Sequence, residues 1–212
     1  MKDGKTNLEK KNPFNERYED FKTFEKLLKR KTNQDDVPAA LEIKKNIPIY
    51  SGQLVRDYAN SSEKKQKLLT EWSNVFKSGA GIIAITNAIK SSSVIETATK
   101  KFEAIIKSEK INGNSGDHFA KPGANDRIWN SLQKHCMEDP QNFIDYYCSE
   151  IIALAAQSWL GPNYQITAQV NSVNPGGEAQ KPHRDYHLGF MSTEQSANYP
   201  PNVHTISQFL TL

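Results

Sequence analysis

The sequence predicts an α+β protein in which helices come first and strands last. Three observations carry this. Between Ser62 and Trp159 apolar residues recur at three- and four-residue spacing, interrupted by one short β-branched run. Strict alternation of apolar and polar residues sets in only at Tyr164. The last stretches are punctuated by Asn174-Pro175-Gly176-Gly177 and Pro200-Pro201, which are turn signals between extended pieces.

The chain of 212 residues and 23.9 kDa is long enough for one domain with appendages, or one domain and part of another. Its mean hydropathy of -0.68, with 37% hydrophobic residues, is polar for a compact domain, so part of the chain is expected to stay outside the core. Residues 1 to 31 hold ten Lys or Arg against six Asp or Glu, a net of +4, while the whole chain carries +3. Residues 1–45 are accordingly read as a charged, flexible N-terminal arm and residues 46–212 as the folded unit. The arm's charges are mixed in sign and lack an Arg cluster or interleaved aromatics, so a solvated segment or loose helix is expected and no nucleic-acid contact. No apolar run approaches the ~18 residues of a membrane span, and no signal-peptide core follows Met1, which leaves the cytoplasm as the expected compartment. Cys136 and Cys148 are too few for a disulfide framework and lack CxxC spacing.

Along the chain, residues 33 to 38 read as a linker and Ile47 to Gly52 as a short extended piece. Leu68, Leu69, Trp72, Val75 and Phe76 form one apolar stripe on a helix that should stop near Gly79 or Gly81. The run from Gly81 to Thr86 predicts a buried strand. A second helix is expected from Ser93, where Ser-Val-Ile-Glu matches a capping box, with Ala98, Phe102, Ile105 and Ile106 on its buried face. Residues 111 to 128 are rich in Gly, Asn and Pro and read as a loop carrying His118, Lys121 and Arg127, each more simply a solvated group than a ligand. A third helix is expected from Asp139-Pro140 to Gly161-Pro162, burying Ile144, Tyr147, Cys148, Ile151, Ala155 and Trp159. From Tyr164 to Asn171 a half-buried strand places Tyr164, Ile166, Ala168 and Val170 on one face and Gln165, Thr167, Gln169 and Asn171 on the other. That polar face suits water, or the enclosed cavity of a barrel or jelly roll. His204 to Leu212 reads as a last strand.

Chemistry concentrates at His183 and Asp185. If this stretch is extended, residues two apart share a face about 6.5 Å apart at the backbone, and an imidazole and a carboxylate can converge on one ion. Three readings compete: a His/Asp metal pair on a strand, a His183/His187 zinc pair at i and i+4 on a helix, and a structural hydrogen-bonded pair. The helical reading lacks both apolar periodicity and a Glu beside the first His, and it turns Asp185 away. On a strand, His187 would lie about 13 Å from His183, too far to share the ion. An imidazole and a carboxylate with open positions suit the two-His-one-carboxylate site of non-haem Fe(II) oxygenases.

The stretch from Gln169 to Gly177, followed by Pro182-His183-Arg184-Asp185-Tyr186-His187-Leu188-Gly189-Phe190, resembles the first half of the phytanoyl-CoA dioxygenase family, a branch of the Fe(II)/2-oxoglutarate oxygenases. The resemblance covers roughly residues 72 to 212 and is strongest from Trp159-Leu160-Gly161-Pro162 onward, through an H-x-D-x-H-x-x-F run. It implies N-terminal helices packed on the first strands of a double-stranded β-helix (jelly roll), with iron held by His183 and Asp185. It further implies Fe(II) and 2-oxoglutarate as cofactors, dioxygen and a small-molecule or lipid-like substrate as partners, and oxidative decarboxylation to succinate and carbon dioxide coupled to attack on an unactivated C–H bond. By the same analogy Gln169 and Asn171 look into the cavity and contact cosubstrate or substrate; the solvent-facing reading of that face stands beside it. Related halogenases replace the carboxylate by a small residue, so Asp185 implies hydroxylation.

In the family the second histidine and the arginine that pairs with 2-oxoglutarate lie on later strands than those counted here. His204 opens a strand whose continuation, Ile206, Leu210 and Leu212, has the pattern of ordinary core. A jelly roll needs about eight strands and three or four follow residue 160, so the sequence is expected to be the N-terminal portion of a longer oxygenase. The competing class is a non-catalytic, cupin-like binding protein whose His and Asp are vestigial. An isolated 212-residue product is expected to aggregate through an exposed strand edge or to bind iron poorly; a monomer by light scattering that binds one Fe(II) tightly would contradict the fragment expectation.

Overall fold

In the computed structural model, which describes residues 21–113, 121 and 123–177, helices alternate with short strands. Helix α1 (Phe21–Leu28) is followed by a 3-10 turn (Gln34–Asp36), strands β1 (Glu42–Lys44) and β2 (Ile47–Ser51), and helices α2 (Gly52–Ala59) and α3 (Ser62–Ser78). Next come β3 (Ala84–Thr86), α4 (Ser92–Ile111) and β4 (Asn125–Ile128), then α5 (Ser131–Glu138), α6 (Pro140–Tyr147), α7 (Glu150–Leu160) and β5 (Val170–Val173). The class is α+β with two small sheets, and the described residues contain no double-stranded β-helix.

The first sheet runs β1-β2-β3. Strands β1 and β2 are antiparallel with Lys44 opposite Ile47, so Lys45 and Asn46 alone make the turn. Both have positive φ, 49° and 72°, the signature of a type I′ hairpin whose twist matches its strands. Strand β3 then pairs parallel to β2, Tyr50 facing Ile85. At the end of β2 the chain enters α2 through Gly52, where an added Cβ would lie 2.4 Å from the Asn87 carbonyl oxygen. Only glycine lets the start of α2 sit this close to the chain leaving β3.

The main core forms where α3 meets this sheet and α7. Leu68, Leu69, Trp72 and Val75 are buried on α3 as their spacing predicts, and pack with Tyr50 and Val55 and with Ile151 and Leu154 of α7. Tyr50 and Trp72 meet edge-on with ring centroids 5.5 Å apart, and Phe76 meets Trp159 at 6.2 Å. A second buried group lies among α4, α5 and α6, around His135. Its Nε2 lies 2.8 Å from Asn142 Oδ1, and Asn142 Nδ2 donates to the Val94 carbonyl. That second bond fixes the amide orientation, so Oδ1 is the acceptor and His135 Nε2 carries the hydrogen. Phe102, Phe143, Tyr146 and Tyr147 surround the imidazole at centroid distances of 4.8 to 5.9 Å.

Several boundaries differ from expectation for local reasons. The stretch read as a linker contributes Val37 to the core, with Ala39 and Ala40 just beyond it, because Gln34 Nε2 donates to the Val37 and Ala40 carbonyls and folds the segment inward. Helix α4 is capped by Ser91, whose Oγ accepts from the Ser93 amide, and not by Ser93: with three serines in a row, the first takes the cap. The single third helix is two, since Ser149 accepts from the Ile152 amide and starts α7 afresh, leaving Cys148 exposed. Asp139 caps α6 as expected, its carboxyl held below its ordinary range first by the Asn142 amide and then by Lys101. The β-branched run shrinks to three half-buried or exposed residues in β3, and helix α5 lay hidden in a stretch too short to show periodicity.

Glu71 joins two distant pieces of chain to α3. Its Oε1 accepts from Tyr50 Oη at 2.8 Å and its Oε2 from the Ala39 amide at 3.2 Å. Burial pushes the Glu71 carboxyl above its ordinary 4.5, the two donors opposing that shift, and burial with the neighbouring carboxylate pushes the Tyr50 phenol far upward. The native state therefore holds the Glu71 proton more tightly than the unfolded chain, and this group's contribution falls as pH rises through the window above 4.5. Glu71→Gln keeps a partner for both groups without the buried charge. Its stability relative to wild type should rise with pH across that window and then level off in urea unfolding between about pH 4 and about pH 8; parallel curves would show that burial of this carboxylate carries no cost.

Candidate functional site

The described residues nearest in sequence to the His183 stretch form a two-stranded antiparallel ribbon, β4 with β5. Its register pairs Asn125 with Val173, Asp126 with Ser172, Arg127 with Asn171 and Ile128 with Val170. Alternation makes the two faces different in kind. One carries Ile128, fully buried, and Asp126, nearly so. The other carries Arg127 opposite Asn171, and there Arg127 Nη1 donates to Gln169 Oε1 at 2.9 Å. The Arg127 guanidinium also lies over the Trp129 ring, 5.1 Å from its centroid. Gln169 and Asn171 are both exposed.

The ribbon is tied to the helices at both ends. Ser131 Oγ, fully buried at the start of α5, donates to the Ala168 carbonyl at 2.8 Å and fixes the chain entering β5. Lys110, in the last turn of α4, reaches Asp126 Oδ2 at 2.7 Å. Beyond β5 the chain turns at Asn174-Pro175-Gly176-Gly177, closed by the Gly177 amide donating to the Asn174 carbonyl at 2.8 Å. Proline at the second position and a φ of 84° at Gly176 are the marks of a type II turn. Asn174 locks the turn onto β4: its Nδ2 donates to the Gly123 carbonyl at 3.1 Å and to Asp126 Oδ2 at 3.2 Å, and its amide to the Ala124 carbonyl at 3.0 Å. At Gly177 an added Cβ would lie 2.7 Å from Val173 Cγ1 and 2.8 Å from the Ala124 oxygen, so no larger residue fits without displacing β4 or β5.

Of the residues singled out in the sequence, Gln169 and Asn171 come together with Arg127 on this one face. His183 and Asp185 lie outside the described residues, as do His118, His187 and His204. Lys121 is exposed, with its carbonyl accepting from the Ala124 amide at 3.0 Å. Among the described residues no group of three or more His, Cys, Asp or Glu could hold a metal, and their one histidine, His135, is committed to packing α4 through α6. Sequence reasoning missed the bracing by Asp126, Trp129 and Asn174. Four residues of β4 between a Gly-rich loop and a helix are too few to declare a strand period.

A family model for phytanoyl-CoA dioxygenase (PhyH) matches residues 78–211. The chain belongs to the phytanoyl-CoA dioxygenase family. No curated protein and no solved structure matches it. The family is one of dioxygenases whose members depend on Fe(II) and 2-oxoglutarate, and the matched span contains α4 to α7, the ribbon, and both His183 and Asp185. In this phytanoyl-CoA dioxygenase family member no helix among the described residues is long and apolar enough to cross a membrane.

The Asn174 anchor yields a test of how the ribbon end is held. Asn174→Ala removes two side-chain hydrogen bonds, one of them to a carboxylate, and should cost about 1–3 kcal/mol in urea unfolding. Amide exchange at Val173 and Gly177 should accelerate more than at Leu68 in the main core; an equal increase at all three would mean that the turn is not a local anchor.

Proposed function

We propose that this protein is an Fe(II)/2-oxoglutarate-dependent dioxygenase that hydroxylates a small-molecule or lipid-like substrate. The observation that carries the reading is the family match over residues 78–211, which contains the His183-x-Asp185 pair with donors of the right kind. An imidazole and a carboxylate suit Fe(II) and leave positions open for exchangeable ligands. When bound, the iron and 2-oxoglutarate would supply the electrons that activate dioxygen, the oxidant of the reaction, with succinate and carbon dioxide as products of the cosubstrate. Within this reading residues 46–212 make up a helical layer and the first half of a jelly roll; the segment before them, read as a charged arm over residues 1–45, also contributes strand β1 and the core residues Val37, Ala39 and Ala40.

The chain's own residues have definite tasks. His183 and Asp185 would hold the metal, and a carboxylate at Asp185, where related halogenases carry a small residue, favours hydroxylation over halogenation. Gln169 and Asn171 are the proposed cosubstrate or substrate contacts. The bond from Arg127 gives that proposal a chemical direction: with Gln169 Oε1 accepting from Arg127, the amide is oriented and its Nε2 donors remain to meet an acceptor. A carboxylate is such an acceptor, and Arg127 adds positive charge on the same face. The Asn174 turn sets the direction in which the chain leaves β5.

The deciding measurement is succinate release from 2-oxoglutarate by the purified protein supplied with Fe(II), without added substrate. Turnover is expected to be slow, in keeping with the weak iron binding expected of residues 1–212, to require both Fe(II) and 2-oxoglutarate, and to fall at least about a hundredfold in Asp185→Ala. Absence of turnover together with absence of iron binding would instead favour a non-catalytic binding protein with vestigial ligands.

A further inference from the structure

Helix α1 presents an apolar stripe that the rest of the described chain leaves uncovered. Phe21, Phe24 and Leu28 are 77%, 53% and 66% exposed, and their spacing of i, i+3 and i+7 puts them on one side of the helix. Lys22, Lys26 and Lys29 follow at i, i+4 and i+7 on an adjoining side, with Arg30 and Lys31 directly after. Residues 21 to 31 hold five basic residues and one acid, Glu25, which pairs with Lys29 at 2.7 Å; Lys22 has a partner as well, so the basic side rests on Lys26, Arg30 and Lys31. Apolar and basic residues are thus segregated around an eight-residue helix about 12 Å long.

The helix is held to the body at one end. Asn46, in the left-handed turn of the β1–β2 hairpin, donates from Nδ2 to the Arg30 carbonyl at 3.2 Å, and its Oδ1 accepts from the Thr32 amide. Thr32 Oγ1 donates in turn to the Asn46 carbonyl at 2.8 Å. Two residues beyond Leu28 the chain is therefore fastened to a rigid hairpin, and the stripe has a fixed attachment point.

We propose that α1 is a peripheral docking element for an anionic lipid surface, with Phe21, Phe24 and Leu28 entering the headgroup boundary and Lys26, Arg30 and Lys31 meeting the headgroups. Segregation of large apolar side chains from a basic stripe is what such an interface selects, since one face meets hydrocarbon and the other anionic charge. Nucleic acid would satisfy the lysines and leave two phenylalanines and a leucine in water. A protein groove would take the same i, i+3 and i+7 anchors but has no need of the adjoining basic side, which an anionic lipid surface uses together with the apolar one.

The test is co-sedimentation of the full 212-residue chain with mixed phosphatidylserine–phosphatidylcholine vesicles. Binding should be strong at about 0.1 M salt, weaken by at least about tenfold at about 0.5 M, and be nearly absent on pure phosphatidylcholine. Phe24→Ser with Leu28→Ser should reduce it at least about tenfold with an unchanged urea midpoint, since both side chains are exposed. Failure to bind phosphatidylserine vesicles, or equal binding by the double variant, would overturn the proposal. So would affinity for a DNA duplex that survives the double substitution, or a concentration-dependent dimer of the wild-type chain abolished by it, which would assign the stripe to nucleic acid or to a second copy.

Discussion

The structure depends first on one helix face finding two partners at once. The stripe of α3 buries Leu68, Leu69, Trp72 and Val75 against β2 on one side and α7 on the other, and Trp72 at its centre has no exposed surface. A sheet of strands only three to five residues long cannot hold itself together in water. It persists because Tyr50, in its central strand, packs edge-on against Trp72 and donates to Glu71 one residue away on the same helix. Glu71 also captures the Ala39 amide, so the segment before β1 is drawn in by the same side chain. The carboxylate is a costly way to do this, because it is desolvated, and it is tolerated because it satisfies donors from two parts of the chain at once.

From that core the order passes outward to the ribbon. Helices α4, α5 and α6 close around His135, whose imidazole links α5 to α6 through Asn142 and onward to the start of α4 through the Val94 carbonyl. The same helices supply the ribbon's anchors, Lys110 from α4 and Ser131 from α5. Asp126 is the shared point: it takes Lys110 from the helical side and Asn174 from the turn. A buried carboxylate with two donors, one of them charged, fixes the exit of β5 relative to α4. The proposed iron ligands begin nine residues after Asn174 in the sequence.

What the sequence disclosed follows the range over which each signal acts. The α3 stripe, the Asp139-Pro140 cap and the Pro-Gly-Gly turn are local and were readable, because periodicity and capping need only neighbouring residues. The strand expected over 164 to 171 shows the limit. Alternation there is real, yet regular pairing covers only Val170–Val173, since β4 is four residues long and offers no partner for the earlier part. The division at Cys148 and Ser149 was missed because an apolar stripe runs through it unbroken, and only the Ser149 cap marks the restart. At the candidate site, the polar face with Gln169 and Asn171 was legible as a face, but its partner Arg127 lies 42 residues upstream of Gln169 in a segment that reads as loop. No local pattern encodes that pairing.

The boundary of the family match also has a physical meaning. It begins at Ser78, the last residue of α3, so nearly all of that helix together with β1, β2 and α2 lies outside it. Yet α7, inside the match, buries Ile151 and Leu154 against Leu68, Leu69 and Trp72, and β3, also inside, has β2 as its sheet partner. Gly52 brings the two parts within a Cβ's width of each other at Asn87. Residues 37 to 77 are thus not an appendage to the matched segment: they provide the surface on which the matched helices close. Removing them would uncover α7 and leave β3 unpaired, so the layer that carries the ribbon depends on sequence that the family pattern does not itself contain.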